Sequence, residues 1–165
     1  MTSPVFILGG AQSDFARNWT RDNKGLFEMI SETTAAALDE ARLDAEDIEA
    51  LHIGNFAGEL FSGQGLLGGM AVMAHPAFSG LPTSRHEAAC ASADIEAGRY
   101  GLVGVIGVEL MRNVPGEQAA RNLGAAAWAG REAEGARYLW PAMFSGLAEV
   151  YEGRYGLKRE HLAEI

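Results

Sequence analysis

The sequence predicts an α/β domain with a mostly parallel sheet, followed by a helical segment. Three observations lead there. Short continuous apolar runs, Val5–Leu8 and Leu102–Val108, read as strands buried on both faces, and Leu51-His52-Ile53 reads as a further strand. Apolar residues at helical spacing alternate with them, which is the signature of crossover connections. Beyond Pro115 the strand signal stops and an Ala-rich, helix-favouring stretch takes over.

The first run ends at Gly9-Gly10 and leads into a polar loop with Arg17, Asn18, Arg21 and Asp22. Leu26, Phe27, Ile30, Thr34, Ala37, Leu38 and Ala41 then recur at helical period, with acidic residues between them. Asp22 or Asn23 is the expected cap. Asp44 with Asp47 forms a capping-box-like turn before the strand Leu51-His52-Ile53, which Gly54-Asn55 stops. The glycine-rich apolar stretch from Gly63 to Ala74 reads as one close-packed helix. His75-Pro76 and Leu81-Pro82 punctuate the chain after it. Arg85–Ala89 is a short third strand candidate. Later helices are expected over Glu117–Ala136 and Phe144–Tyr155, with another at the end of the sequence.

Composition narrows the function classes. The 165 residues are 48% hydrophobic and 21% charged, enough apolar content for a packed core without staples. Thirteen Lys and Arg against 22 Asp and Glu give a formal charge of −9, which disfavours nucleic acid and anionic membranes as partners. A single cysteine, Cys90, excludes an internal disulfide framework and a multi-cysteine zinc site. No signal peptide or membrane span is evident, so the expected compartment is the cytoplasm.

Several motifs compete for a functional role. Gly63-Gln64-Gly65-Leu66-Leu67-Gly68 matches G-x-G-x-x-G, with Glu87 near the spacing of a ribose-binding acid. A dinucleotide site needs its first glycine directly after a strand. Here the strand ends near Asn55 and a polar turn with Glu59 intervenes. His86-Glu87-Ala88-Ala89-Cys90 imitates a zincin helix with its last His replaced, but the flanking residues read as a strand, and no metal site is expected. His52 reads as a hydrogen-bonded structural histidine and His161 as an exposed one. Cys90 precedes Ala91-Ser92, which would start a helix. A thiol there meets unpaired backbone N–H groups and the positive end of the helix dipole, both of which favour the thiolate. The same N–H groups can donate to an oxyanion. A small buried apolar residue is the alternative role for Cys90.

Val5–Gly10 before a loop, Gly54-Asn55 after the second strand, Cys90-Ala91-Ser92 at a strand-to-helix junction and Gly107-Val108-Glu109-Leu110-Met111 after the last strand occur in order. Together they resemble the N-terminal half of a thiolase, most closely the bacterial acetyl-CoA acetyltransferases related to sterol-carrier-protein-type thiolases. The resemblance implies an incomplete thiolase-like α/β half over residues 1–115, and over 116–165 the start of a helical loop domain. It implies that Cys90 is the acyl-accepting nucleophile, that acyl-CoA is the substrate and that no further cofactor is used. It also implies homo-oligomers through the strand near Arg85–Ala89. A non-catalytic remnant that dimerises or binds acyl-CoA weakly is the competing class.

Two departures from the family accompany the resemblance. The family continues past Cys-x-Ser with Gly-Ser and a long helix, whereas Ala93-Asp94-Ile95-Glu96-Ala97-Gly98 here resembles only that helix's last turns. Ten residues between Cys90 and Gly101 predict a crossover barely able to return along the sheet, because about eight helical residues rise only ~12 Å. In addition, the family's Gly-His-Pro histidine, its Cys-x-Gly cysteine and its Asn- or His-containing motif have no counterpart here. Ala74-His75-Pro76 precedes Cys90 and takes no such role. The chain alone is therefore expected to lack a complete active site.

Overall fold

The computed structural model describes residues 4–86, 90–128, 130–132 and 134–163. The chain divides into two compact units, Met1–Asn113 and Val114–Ile165.

The first unit is the α/β part. Helix α1 (Leu26–Ala41) forms where the apolar period predicts it, burying Leu26 and Ile30. Its cap is Gly25 rather than Asp22 or Asn23: the Gly25 N–H donates to Glu28 Oε2 at 2.8 Å. Asn23 instead takes a left-handed turn conformation, φ 55°, three residues before the helix begins. The capping box at Asp44 and Asp47 is present, around a single 3₁₀ turn.

Strand β1 (Ala50–Gly54) follows, with Ala50, Leu51 and Ile53 in the core. It is the centre of a three-stranded parallel sheet, ordered β2 (Thr83–His86), β1, β3 (Val103–Gly107). Between β1 and β2 lie α2 (Gly58–Ser62) and α3 (Leu67–Val72). The single helix expected over Gly63–Ala74 is shortened to α3, because Gly63 and Leu66 stand in the left-handed region at φ 69° and 31° before it. Gly68 lets α3 close on the sheet: a Cβ at that position would stand 3.0 Å from Thr83 Cβ. Gly104 has the same role beneath Leu51, whose Cδ2 would be 2.8 Å from a Cβ there. Trp19, Leu26, Ile30, Ile48, Leu51, Ile53, Leu67, Ala71, Phe78, Val108 and Leu110 belong to one core cluster. The α/β class with a parallel sheet and flanking helices is as the sequence predicts.

Three strand expectations need correction. Val5–Leu8 is not a strand, and Ile7 is 95% exposed. The sheet pairs β1 directly with β3, and the segment forms no ladder on the outer edge of β3. It is held instead beyond its end, where the Gly10 N–H donates to Glu40 Oε2 at 2.9 Å. The β3 run is not buried on both faces: as an edge strand it leaves Val105 52% exposed. The third strand begins at Thr83, earlier than Arg85, and residues 87–89 lie outside the described residues.

The chain from Cys90 to Leu102 leads into β3 through one short helix. Helix α4 (Ala91–Glu96) rises ~9 Å. Gly98, at φ 69°, turns the chain back toward β3. The short crossover therefore returns, and a helical turn survives after Cys90.

The second unit holds α5 (Gly116–Leu123), a 3₁₀ turn, α6 (Leu139–Tyr155) and α7 (Arg159–Ala163). The helix expected over Glu117–Ala136 stops at Leu123, and Gly130 and Gly135 follow in left-handed turns at φ 76° and 79°. Pro141 sits in the first turn of α6, where a missing N–H is harmless, so that helix starts at Leu139. Trp140 Nε1 donates to Leu123 O at 2.9 Å and joins α6 to α5. His161 lies on α7 and is exposed.

Candidate functional site

In an open parallel sheet, chemistry gathers beyond the carboxyl ends of the strands, where loops are free to vary. Gly54, His86 and Gly107 are in register at that edge. The chain leaving each of them carries one of the segments singled out above: Asn55, Cys90 and Glu109.

Cys90 is the N-cap of α4 and is exposed. Its carbonyl accepts from the N–H of Ala93 at 3.1 Å and of Asp94 at 3.4 Å, which starts the helix. The junction expected from the sequence is present and solvent-facing, so the alternative of a small buried apolar residue does not hold.

Asn55 and Glu109 build the wall of this edge. Asn55 is buried; its Nδ2 donates to Val108 O at 2.7 Å and to Glu109 Oε2 at 3.1 Å. Glu109 Oε2 also accepts from the N–H groups of Phe56 and Ala57, at 2.9 and 3.1 Å. Asn55 Oδ1 takes the Gly58 N–H at 3.0 Å and Arg85 Nη2 at 2.9 Å. Arg85 in turn pairs with Glu59 at 2.6 Å. Gly58 must be glycine here, since a Cβ would lie 2.8 Å from the Asn55 amide. The sequence marks Gly54-Asn55 and Gly107–Met111 as family signals; their physical content is this lattice between the ends of β1 and β3.

His52 is structural, as its strand position predicts, and it is better connected than the sequence shows. It is 4% exposed; Nδ1 lies 2.7 Å from Ser84 Oγ on β2, and Nε2 lies 3.2 Å from Asp94 Oδ2 on α4. Asp94 carries no motif, so only the fold brings it to His52.

A cavity of about 650 Å³ lies in the same unit, between the 4–11 segment, α1, β3 and α4. Ala91, Ser92 and Ile95 give it one wall, Thr34, Ala37 and Leu38 another, so it begins one residue past Cys90. Its size is within the ~300–1,000 Å³ of small-molecule pockets.

The other candidates resolve as structural or fall outside the described residues. Gly63–Gly68 does not follow a strand: α2 stands between it and β1, and Gly68 is packed against Thr83. Glu87, the matching acid, and Ala88-Ala89 of the zincin-like run are not among the described residues, and neither is the side chain of His86. Among the described residues no group of three or more His, Cys, Asp or Glu is placed to hold a metal ion. His75 caps the 3₁₀ turn Pro76–Phe78, its Nδ1 accepting from the Ala77 N–H at 3.2 Å. Among the described residues no helix is long and apolar enough to cross a membrane.

No protein-family model matches the chain. It is similar to an acetyl-CoA acetyltransferase of Methanocaldococcus jannaschii, 31% identical over 169 residues that cover 96% of this chain and 41% of that protein. A second acetyl-CoA acetyltransferase, from Methanothermobacter thermautotrophicus, is 26% identical over 171 residues, 98% of this chain and 43% of its own length. The chain thus spans about two-fifths of the length of the curated relatives it matches. The resemblance to thiolase-type acetyltransferases read from the sequence is borne out by both.

Proposed function

We propose that this chain is the nucleophile-bearing, N-terminal part of a thiolase-type acyl-CoA acyltransferase and that Cys90 accepts the acyl group. The observation that supports this most is the similarity to two acetyl-CoA acetyltransferases across nearly the whole chain. Cys90, exposed at the start of α4 beyond the carboxyl end of β2, is where such a nucleophile would be reached.

The Cys90 thiolate attacks the thioester carbonyl carbon of an acyl-CoA. A new S–C bond forms, the bond from that carbon to the CoA sulfur breaks, and CoA leaves as a thiolate that takes up a proton. Splitting the transfer through a covalent intermediate lowers each barrier. Backbone N–H groups near the start of α4 are the candidate donors to the developing oxyanion. In a condensation, a carbanion from a second acyl-CoA would then attack the acyl-enzyme. That step needs a base and a group to polarise the second thioester. By the resemblance both belong to the family's C-terminal half, so the 165 residues alone are expected to stop at the acyl-enzyme. Self-association through the β2 edge and a cytoplasmic setting belong to the same reading.

Intact-mass analysis after incubation with acetyl-CoA tests this. One acetyl increment, abolished by Cys90→Ser, is the expected result. An unmodified wild-type chain overturns the role of Cys90. Steady release of acetoacetyl-CoA, lost in Cys90→Ala, overturns the claim that turnover needs further residues.

A further inference from the structure

We propose that Asp94, fastened to the sheet by His52, is a positioning residue for Cys90. The proposal rests on the reading of Cys90 as acyl acceptor.

Helix α4 needs an anchor. Six residues are far too few for a helix to persist by its own hydrogen bonds, and α4 contains no buried residue. Apolar packing therefore does little to fix it. What it has is Asp94. The Asp94 N–H donates to Cys90 O at 3.4 Å, and the Asp94 carbonyl accepts the Arg99 N–H at 3.0 Å, closing the far end of the helix. The side chain works in both directions as well. Oδ2 faces His52 Nε2 at 3.2 Å, and Oδ1 takes Arg99 Nη1 at 2.9 Å. One residue thus joins the nucleophile's own carbonyl, the helix end and the central strand.

The anchor point is rigid. His52 lies mid-strand in β1, hydrogen-bonded through the sheet on both sides, and its Nδ1 meets Ser84 Oγ on β2. Nδ1 shares a hydrogen bond with Ser84 Oγ, while Nε2 meets Asp94 Oδ2 as a close polar contact at 3.2 Å. In a buried setting polar contacts are stronger than in water and hold geometry better. Acyl transfer is sensitive to that geometry: a displacement of about 1 Å at the reacting atom can slow it by ~10²-fold. An exposed thiol attacking a small mobile alkylator has no such requirement.

Single-turnover acylation of Cys90 by acetyl-CoA, read by mass, tests the arrangement in the full chain. Asp94→Ala and His52→Ala should each lower the acylation rate at saturating acetyl-CoA by about 10–100-fold. The concentration for half-maximal rate and labelling of Cys90 by iodoacetamide should stay unchanged. Asp94→Asn keeps an oxygen toward His52, so it should restore most of the rate. The His52→Ala/Asp94→Ala double variant should be no slower than the slower single one, because both break one contact. Should either alanine variant lose its far-UV circular dichroism, the comparison passes to Ser84→Ala, which removes the hydroxyl at Nδ1 and should slow acylation with the fold intact. Wild-type acylation rates in the folded alanine variants overturn the positioning role alone. A wild-type chain that iodoacetamide labels but acetyl-CoA does not acylate overturns the nucleophile reading, and this role with it.

Discussion

Replacing Glu109 by alanine should loosen the sheet edge that carries the candidate site. One carboxylate oxygen, Oε2, accepts three N–H groups, from Phe56, Ala57 and the Asn55 side chain, at 2.9, 3.1 and 3.1 Å. Bonds to a charged acceptor contribute about 1.5–3 kcal/mol each, but the three do not add. Asn55 Nδ2 keeps Val108 O, and the exposed Phe56 can turn to water. The N–H of buried Ala57 is the one left stranded. The expected loss is therefore about 2–3 kcal/mol, the penalty for one buried donor plus a remainder from the other two. For a unit of this size that lowers the unfolding midpoint by roughly 8–20 °C. Glu109→Gln retains a neutral acceptor of about half the strength and should lose about 1 kcal/mol. Thermal unfolding followed by circular dichroism gives the stability, and amide hydrogen exchange at Phe56 and Ala57 gives the locality. A Glu109→Ala chain within about 0.5 kcal/mol of the parent, the scatter of ordinary surface changes, with both amides as protected as before, would refute the reasoning.

Acidification should release α1 early. The Gly25 N–H holds the Glu28 carboxyl below its ordinary value of 4.5, and Lys24 followed by Arg17 does the same for Glu32. Both contributions are complete above that value and fade as the pH falls through the lowered folded-state values, so helicity should drop below pH 4.5 and Glu28→Gln should flatten the loss. Phe78→Ala, at a fully buried ring, should destabilise the first unit by about 3–5 kcal/mol in a urea titration; a shift below 1 kcal/mol would mean that the core collapses around the gap. Gly68→Val should cost about 1–3 kcal/mol through its clash with Thr83, and Thr83→Ala in the same chain should recover part of it.

What the sequence shows and what it hides divide along one physical line. Helix α1 and strand β1 are legible because burial acts on residues close in sequence: Leu26 and Ile30 share a face one turn apart, and Leu51 and Ile53 sit within one strand. Cys90 at a strand-to-helix junction is legible for the same reason. The His52–Asp94 and Asn55–Glu109 contacts join residues more than forty positions apart, and no local pattern encodes them. Asp94 in particular shares no local pattern with His52, and only the sheet brings the two together. Glycines mislead in the opposite direction. Gly63-Gln64-Gly65-Leu66-Leu67-Gly68 has the letters of a phosphate loop, yet Gly63 ends a helix and Gly68 admits Thr83.

The 5–8 segment and the cavity are two sides of one consequence. Val5-Phe6-Ile7-Leu8 has the composition of a buried strand, and a strand exists only where another offers it a ladder. With β1 and β3 paired directly, Gly104 beneath Leu51, only the outer edge of β3 remains beside the segment, and the segment forms no ladder on it. The apolar segment then lies along the cavity it would otherwise have helped to fill, with Phe6 71% exposed. Filling that space is favourable by roughly 25 cal/mol for each Å² of apolar surface removed from water. Adding a high concentration of a neutral apolar probe should therefore raise the unfolding midpoint and quench the solvent exposure of Phe6 and Ile7 together. Stabilisation without protection of those two residues would place the probe elsewhere and remove the link between the segment and the cavity.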